Sequence, residues 1–159
     1  MPNLANLSVS RQGFGAMGLS STYGAANDAE SIRTIHRAID LGITFFDTAT
    51  GYGAGHNETL LGRAIVDRRQ GLVIASKFTH RQQGASPDAP PVRAREAVEA
   101  SLKRLALDHI DLYYLHRVDP AVPIEDSVGE LGRLQDEGKI GAVGVSEASA
   151  DGLRRANAA

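Results

Sequence analysis

A chain of 159 residues with 42% hydrophobic side chains is long enough for one core of ordinary size, burying roughly two-thirds of its unfolded surface, and is expected to form a single domain over residues 1–159. Its net charge of −2 sets aside binding to nucleic acid through a basic face, and the absence of cysteine removes a disulfide framework and a thiolate metal site. No apolar run approaches the ~20 residues of a membrane span and the N-terminus lacks a charged-then-apolar signal pattern, so a soluble, cytoplasmic protein with no membrane partner is expected.

In chain order the sequence alternates between short apolar runs and helical patterns. Gly13–Met17 reads as a first strand running into "GFGAMGLS". Its glycines fit close backbone approach to a flat ligand. They do not make a dinucleotide fingerprint, because no acidic residue follows a second strand in the required place. Asp28–Leu41 follows as a helix, with Ile32, Ile35, Ala38 and Ile39 on one face and Gly42 as its stop. Ile43–Asp47 is the second strand. Asn57 then reads as the N-cap of a helix over Glu58–Arg68 with Leu60, Leu61, Ala64 and Ile65 inward.

Leu72–Lys77 is the third strand, followed by the irregular stretch Thr79–Ala89. The pair Pro90–Pro91 is expected to open a helix through Val98, Leu102 and Leu105. Ile110–His116 is the fourth strand, and Ile124–Glu137 is a helix with Ile124, Val128, Leu131 and Leu134 on one side. Ile140–Ser146 is the fifth strand, and a last helix runs from near Ala150 to Ala159. Strands rich in Val, Ile, Leu, Phe and Tyr with little polar alternation are expected of a parallel sheet covered on both faces, and their spacing of 30 to 40 residues is that of βαβ units.

Each strand ends in a polar residue or a glycine turn. In a parallel sheet these ends share the carboxyl face, where α/β folds place their sites. Asp47, Lys77 and His116 are therefore expected to converge, with Tyr52 in the turn after Asp47. A tyrosine gives up a proton poorly at neutral pH unless a cation lies beside it. Lys77 supplies that cation, Asp47 holds Lys77 charged and in place, and His116 orients a carbonyl oxygen. Such a set suits protonation of an oxygen that becomes an alkoxide. Asp47, His56, Glu58 and His116 are metal-binding types, but no H-x-H or H-E-x-x-H spacing is present and no metal is expected. No G-x-S-x-G supports a serine hydrolase.

With these residues in view, the sequence resembles the aldo-keto reductases along nearly its whole length. "FFDTATGYGAGHNETLLGRAI" is similar to the family's D-T-A-x-x-Y-G block followed by N-E-x-x-L-G. "GFGAMGLSSTYG", "VIASKF", "DLYYLHRVD" and "IGAVGVSEAS" fall in the family's order around it. The resemblance implies a parallel (β/α)8 TIM barrel that transfers hydride from NADPH to a small-molecule aldehyde or ketone. It implies a tetrad of Asp47, Tyr52, Lys77 and His116, with Tyr52 the general acid, and contacts to the cofactor from Met17, Gly18, Asp47, Ser146 and Glu147. The family commonly has Ser-Asn where this chain has Ser146–Glu147, and a carboxylate there still accepts from a carboxamide NH2.

A barrel of this type takes ~250 residues, and five strand candidates amount to an incomplete, truncated barrel of about five βα units. Its N-terminus is short for the hairpin that closes the family's barrel. The expectations that follow are self-association through the open barrel edge, weak binding of NADPH, and an inner face carrying Phe45, Ile74, Leu112, Tyr114 and Val143. The alternative is a half-barrel or binding and regulatory module that keeps the fold without turnover. The choice of substrate is expected to lie with the loop Thr79–Ala89 and with regions beyond this sequence.

Overall fold

A computed structural model describes residues 3–4, 6–81, 86 and 90–159. Most of the expected loop Thr79–Ala89 lies outside the described residues. An antiparallel pair comes first, β1 (Asn3–Leu4) with β2 (Leu7–Ser8), so a short hairpin is present where the sequence left little room for one. Five parallel strands follow: β3 (Gly13–Gly15), β4 (Phe45–Asp47), β5 (Val73–Thr79), β6 (Leu112–Arg117) and β7 (Val143–Val145). They lie side by side in chain order.

Between and after the strands run α1 (Asp28–Asp40), α2 (His56–Ile65), α3 (Ala94–Leu105), α4 (Ile124–Asp136) and α5 (Ala150–Asn157). Each packs on the next, α1 on α2 through to α4 on α5. Sequential strands with sequential neighbouring helices on one side make a singly wound wall, the arrangement of a (β/α) barrel and not of a doubly wound sheet. The fold is five units of such a barrel.

Local chemistry sets the helix limits. Asn27 accepts from the Glu30 amide at 3.1 Å and starts α1. Gly42, at φ 86°, turns the chain out of it at no steric cost. Ser149 caps α5 through the Gly152 amide. Two helix starts depart from the sequence expectation. α2 begins at His56 after Gly55 at φ 91°, so Asn57 stands inside the first turn and is no cap. α3 begins at Ala94 after an extended Arg93. Val92 is tied to the His80 carbonyl at 2.8 Å, which keeps Pro90–Pro91 in an extended lead-in.

The wall has two faces, and the register decides which residue lies on each. Phe46 pairs with Ile74, Ser76 with Tyr113, and Tyr113 with Val143, so these share the helix-covered face. Phe46, Ile74 and Tyr113 are fully buried there with Leu61, Ile65, Val98, Leu105 and Leu131. Each buried Leu, Ile or Phe contributes on the order of 1.5–3 kcal/mol. The other face carries Phe45, Asp47, Ala75, Lys77, Leu112 and Tyr114. The inner-face assignments of Ile74 and Val143 are therefore corrected: both are one residue out of phase with Phe45 and Tyr114, and a shift of one changes the face.

Candidate active site

β4 delivers Asp47 to the inner face, and the chain does not leave the sheet at once. Thr48 donates its amide to the Ala75 carbonyl and Thr50 to the Lys77 carbonyl, both at 2.9 Å. This extension of the ladder carries Tyr52 over Lys77. The turn Tyr52–Gly55 then bends sharply through left-handed Gly53, Ala54 and Gly55. β5 runs two residues beyond the expected end at Lys77, to Thr79, so Lys77 stands within the strand with its head on the inner face.

The Lys77 ammonium has three protons and three partners. It donates to Asp47 Oδ1, to the Thr48 carbonyl at 2.9 Å and to the Tyr52 phenol oxygen at 3.3 Å. Only 11% of the Lys77 side chain is exposed. The Nζ also lies 5.0 Å from the Tyr52 ring centroid.

His116 comes from β6. A bulge falls here: Phe78 pairs with Leu115, but Thr79 pairs with Arg117. The extra residue on β6 lets two successive side chains, His116 and Arg117, line the same cleft. The His116 ring meets Tyr52 edge-on, with centroids 5.9 Å apart and planes at 87°. Burial first, then the charges of Lys77 and Arg117, hold the imidazole below its usual pKa of 6.5. The cleft measures about 670 Å³ and is walled also by Met17, Thr22, Thr50 and Thr79.

The sequence-predicted tetrad is thus one cluster, with Met17 facing it. Met17 sits in the turn Ala16–Leu19 and not, as expected, in the first strand. Gly18 lies outside the cleft walls, backed by the Tyr23 ring. Ser146, just past β7, donates its amide to the Leu115 carbonyl. Glu147 is turned at φ 52° and pairs with Arg117. Among the described residues no three His, Cys, Asp or Glu side chains gather as a metal-binding group.

A second polar layer lies behind the wall, and the sequence reading gave it no role beyond a helix cap at Asn57. Glu58 is fully buried; it accepts from Ser76 Oγ at 2.5 Å and from Arg104 Nε at 2.6 Å. Arg104 also reaches Ser101, which bonds the Tyr113 hydroxyl at 2.9 Å. Burial of that phenol pushes its pKa far up, so it stays protonated. Asn57 joins two further segments, those after β3 and β4. The signal was the pair Asn57–Glu58 itself, two polar residues in a run that otherwise turns apolar.

The family model described as the aldo/keto reductase family matches residues 12–159. A probable aldo-keto reductase of Glycine max is 47% identical over 156 residues; the match covers 94% of this chain and 45% of that protein. Among solved structures, a glycerol dehydrogenase from Gluconobacter oxydans is 34% identical with a TM-score of 0.82, over 94% of this chain and 48% of its own. An aldo-keto reductase from Klebsiella pneumoniae in complex with NADPH is 32% identical with a TM-score of 0.74, over 90% of this chain and 47% of its own. This chain spans about half the length of these relatives. With a family model over most of its residues and the parallel barrel wall to match, the chain belongs to the aldo-keto reductase family.

Proposed function

We propose that this chain carries the proton-donating half of an NADPH-dependent carbonyl reductase, acting on a small aldehyde or ketone. One observation carries the reading: a buried ammonium joins Asp47 to the Tyr52 phenol, and Tyr52 lines a cleft together with His116. A cleft of about 670 Å³ is of the size that holds a small ligand.

Met17 lining the cleft supports placing the nicotinamide end of the cofactor there. Met17 offers an apolar wall, and Asp47, Ser146 and Glu147 would be the acceptors for a carboxamide NH2; Gly18, backed by Tyr23 outside the cleft, takes no part. Bound there, NADPH supplies a hydride to the carbonyl carbon. The chain's own residues handle the proton. Tyr52 Oη gives its proton to the carbonyl oxygen as that oxygen gains charge. Lys77 steadies the phenolate left behind, and Asp47 keeps Lys77 aimed. His116, kept neutral by its surroundings, positions the oxygen by hydrogen bonding without adding a positive charge.

Steady-state reduction of a benzaldehyde probe tests this. Tyr52→Phe should lower the rate by about 10²–10⁴-fold, the usual loss of a positioned general acid, with NADPH affinity nearly unchanged. Rates within a few-fold of the unaltered chain would overturn the assignment. An unaltered chain that binds NADPH and turns over no carbonyl would favour the binding-module alternative.

A further inference from the structure

Lys77 can serve Tyr52 only if its three protons are held in fixed directions. Two partners are side chains, Asp47 and Tyr52, and the third is the Thr48 carbonyl. A side-chain partner can swing; a carbonyl is as rigid as its backbone. The backbone of Thr48 is fixed on one side by its amide bond to Ala75. On the other side its hydroxyl donates to Asn57 Oδ1 at 2.6 Å. Thr48 is 0% exposed and Asn57 1%, so water offers no replacement for that bond.

Asn57 does more than hold Thr48. Its Nδ2 donates to the Ala16 carbonyl and to Ser20 Oγ, both at 2.8 Å. Ala16 and Ser20 flank Met17, which lines the cleft. The Ala16 carbonyl accepts only, which fixes which end of the amide is nitrogen. One buried amide thereby joins three pieces: the segment after β3, the segment after β4, and the first turn of α2. Ser20 Oγ also meets His56 Nδ1 at 2.9 Å, and His56 Nε2 meets Asp28 at 2.9 Å, so the tie continues to the start of α1.

We propose that Asn57 is a positioning residue for the reaction: through Thr48 it sets the direction of the Lys77 ammonium toward Tyr52, and through Ala16 and Ser20 it sets the wall that Met17 presents. This rests on the proton-donor role proposed for Tyr52. The amide cannot be replaced by a cap or a packing residue, because its three bonds tie α2 to two separate segments, Thr48 after β4 and Ala16 and Ser20 after β3.

The test uses Asn57→Ala, Thr48→Val and Thr48→Ser in the 159-residue chain, with two readouts. The first is reduction of the benzaldehyde probe with NADPH. Displacing a catalytic group by about 1 Å costs on the order of 10²-fold, so kcat should fall by about that factor in Asn57→Ala and Thr48→Val with KM little changed. Thr48→Ser, which keeps the hydroxyl, should restore most of it. The second is the ¹H–¹³C spectrum of the Lys77 side chain and the Tyr52 ring. Their signals should move in Asn57→Ala and Thr48→Val and return in Thr48→Ser, while the remote His80 signals stay in place.

Should Asn57→Ala fail to fold, Thr48→Val decides, since it removes the same bond at nearly the same volume. Folded variants with unmoved Lys77 and Tyr52 signals would overturn the proposal, as would a kcat within twofold of the unaltered chain. The spectral readout needs no turnover, so a chain that reduces nothing sinks the catalytic reading and still leaves the positioning role decided by the spectra.

Discussion

His116 shows how one residue's surroundings set both its chemistry and a measurable pH response. Its imidazole is half-buried near Lys77 and Arg117, and all three influences disfavour the cation; Asp47 opposes them weakly. A group whose folded pKa lies below its unfolded value of 6.5 binds fewer protons in the folded state between those two values. Stability therefore rises with pH through that window. The contribution is complete above 6.5 and lost as pH falls through the folded pKa. Denaturant midpoints between pH 7.5 and 5 should consequently drop more steeply for the unaltered chain than for His116→Gln. Parallel curves would mean that the imidazole meets no unfavourable field. The residue type and its place at a strand end were legible in the sequence. The bulge that brings Arg117 into the same cleft was not, since it is a register event between two strands and leaves no mark on either one alone.

At the scale of elements, the motif N-E-x-x-L-G divides its work. Asn57 and Glu58 tie polar groups behind the barrel wall, Leu61 packs into the core, and Gly62 sets a helix separation. A Cβ on Gly62 would stand 2.5 Å from the Leu105 carbonyl oxygen and 2.7 Å from its carbon. Those are backbone atoms at the end of α3 and cannot swing aside. Gly62→Ala should then destabilise by about 1–3 kcal/mol, as overpacking does. Gly132, inside α4, has nothing within 4 Å of a built Cβ. Gly132→Ala should stabilise by about 0.5–1 kcal/mol through helix propensity alone. Equal and small effects in urea titrations of both would show that α2 and α3 are not in tight contact. Here the sequence was readable in part. The periodic apolar faces signalled the presence of each of the five helices, because burial repeats with the helix turn. The start of α2 was misplaced, because a polar residue ahead of an apolar run looks the same whether its side chain caps the helix or reaches into the core; that of α3 was misplaced because a proline pair suits an extended lead-in as well as a first turn. Ile74 and Val143 were put on the wrong face for a related reason: strands with apolar residues on both sides carry no alternation to fix their phase.

At the scale of the whole molecule, the wall of five strands stays open. β3 and β7 are its outer strands, and the inner face carries Phe45 and Tyr114, both only half-buried. The chain exposes 8790 Å², against about 7,600 Å² for a compact monomer of 16.8 kDa. The excess, about 1,200 Å², is comparable to one partner's share of a standard protein interface, about 800 Å². Unpaired strand edges beside an uncovered apolar face favour association. The identity of the strands was legible from their apolar runs, and so was the incompleteness of the wall, since both follow from counting βα units. How the open face is covered depends on atoms other than these. The isolated 159-residue chain should accordingly self-associate, with a sedimentation coefficient that grows with concentration. The inner face should become less accessible as it does so, visible as falling exchange of the Tyr114 amide relative to helix amides on α4. A chain that sediments as a monomer at all concentrations, with an unchanged exchange pattern, would mean that the inner face is satisfied without a partner.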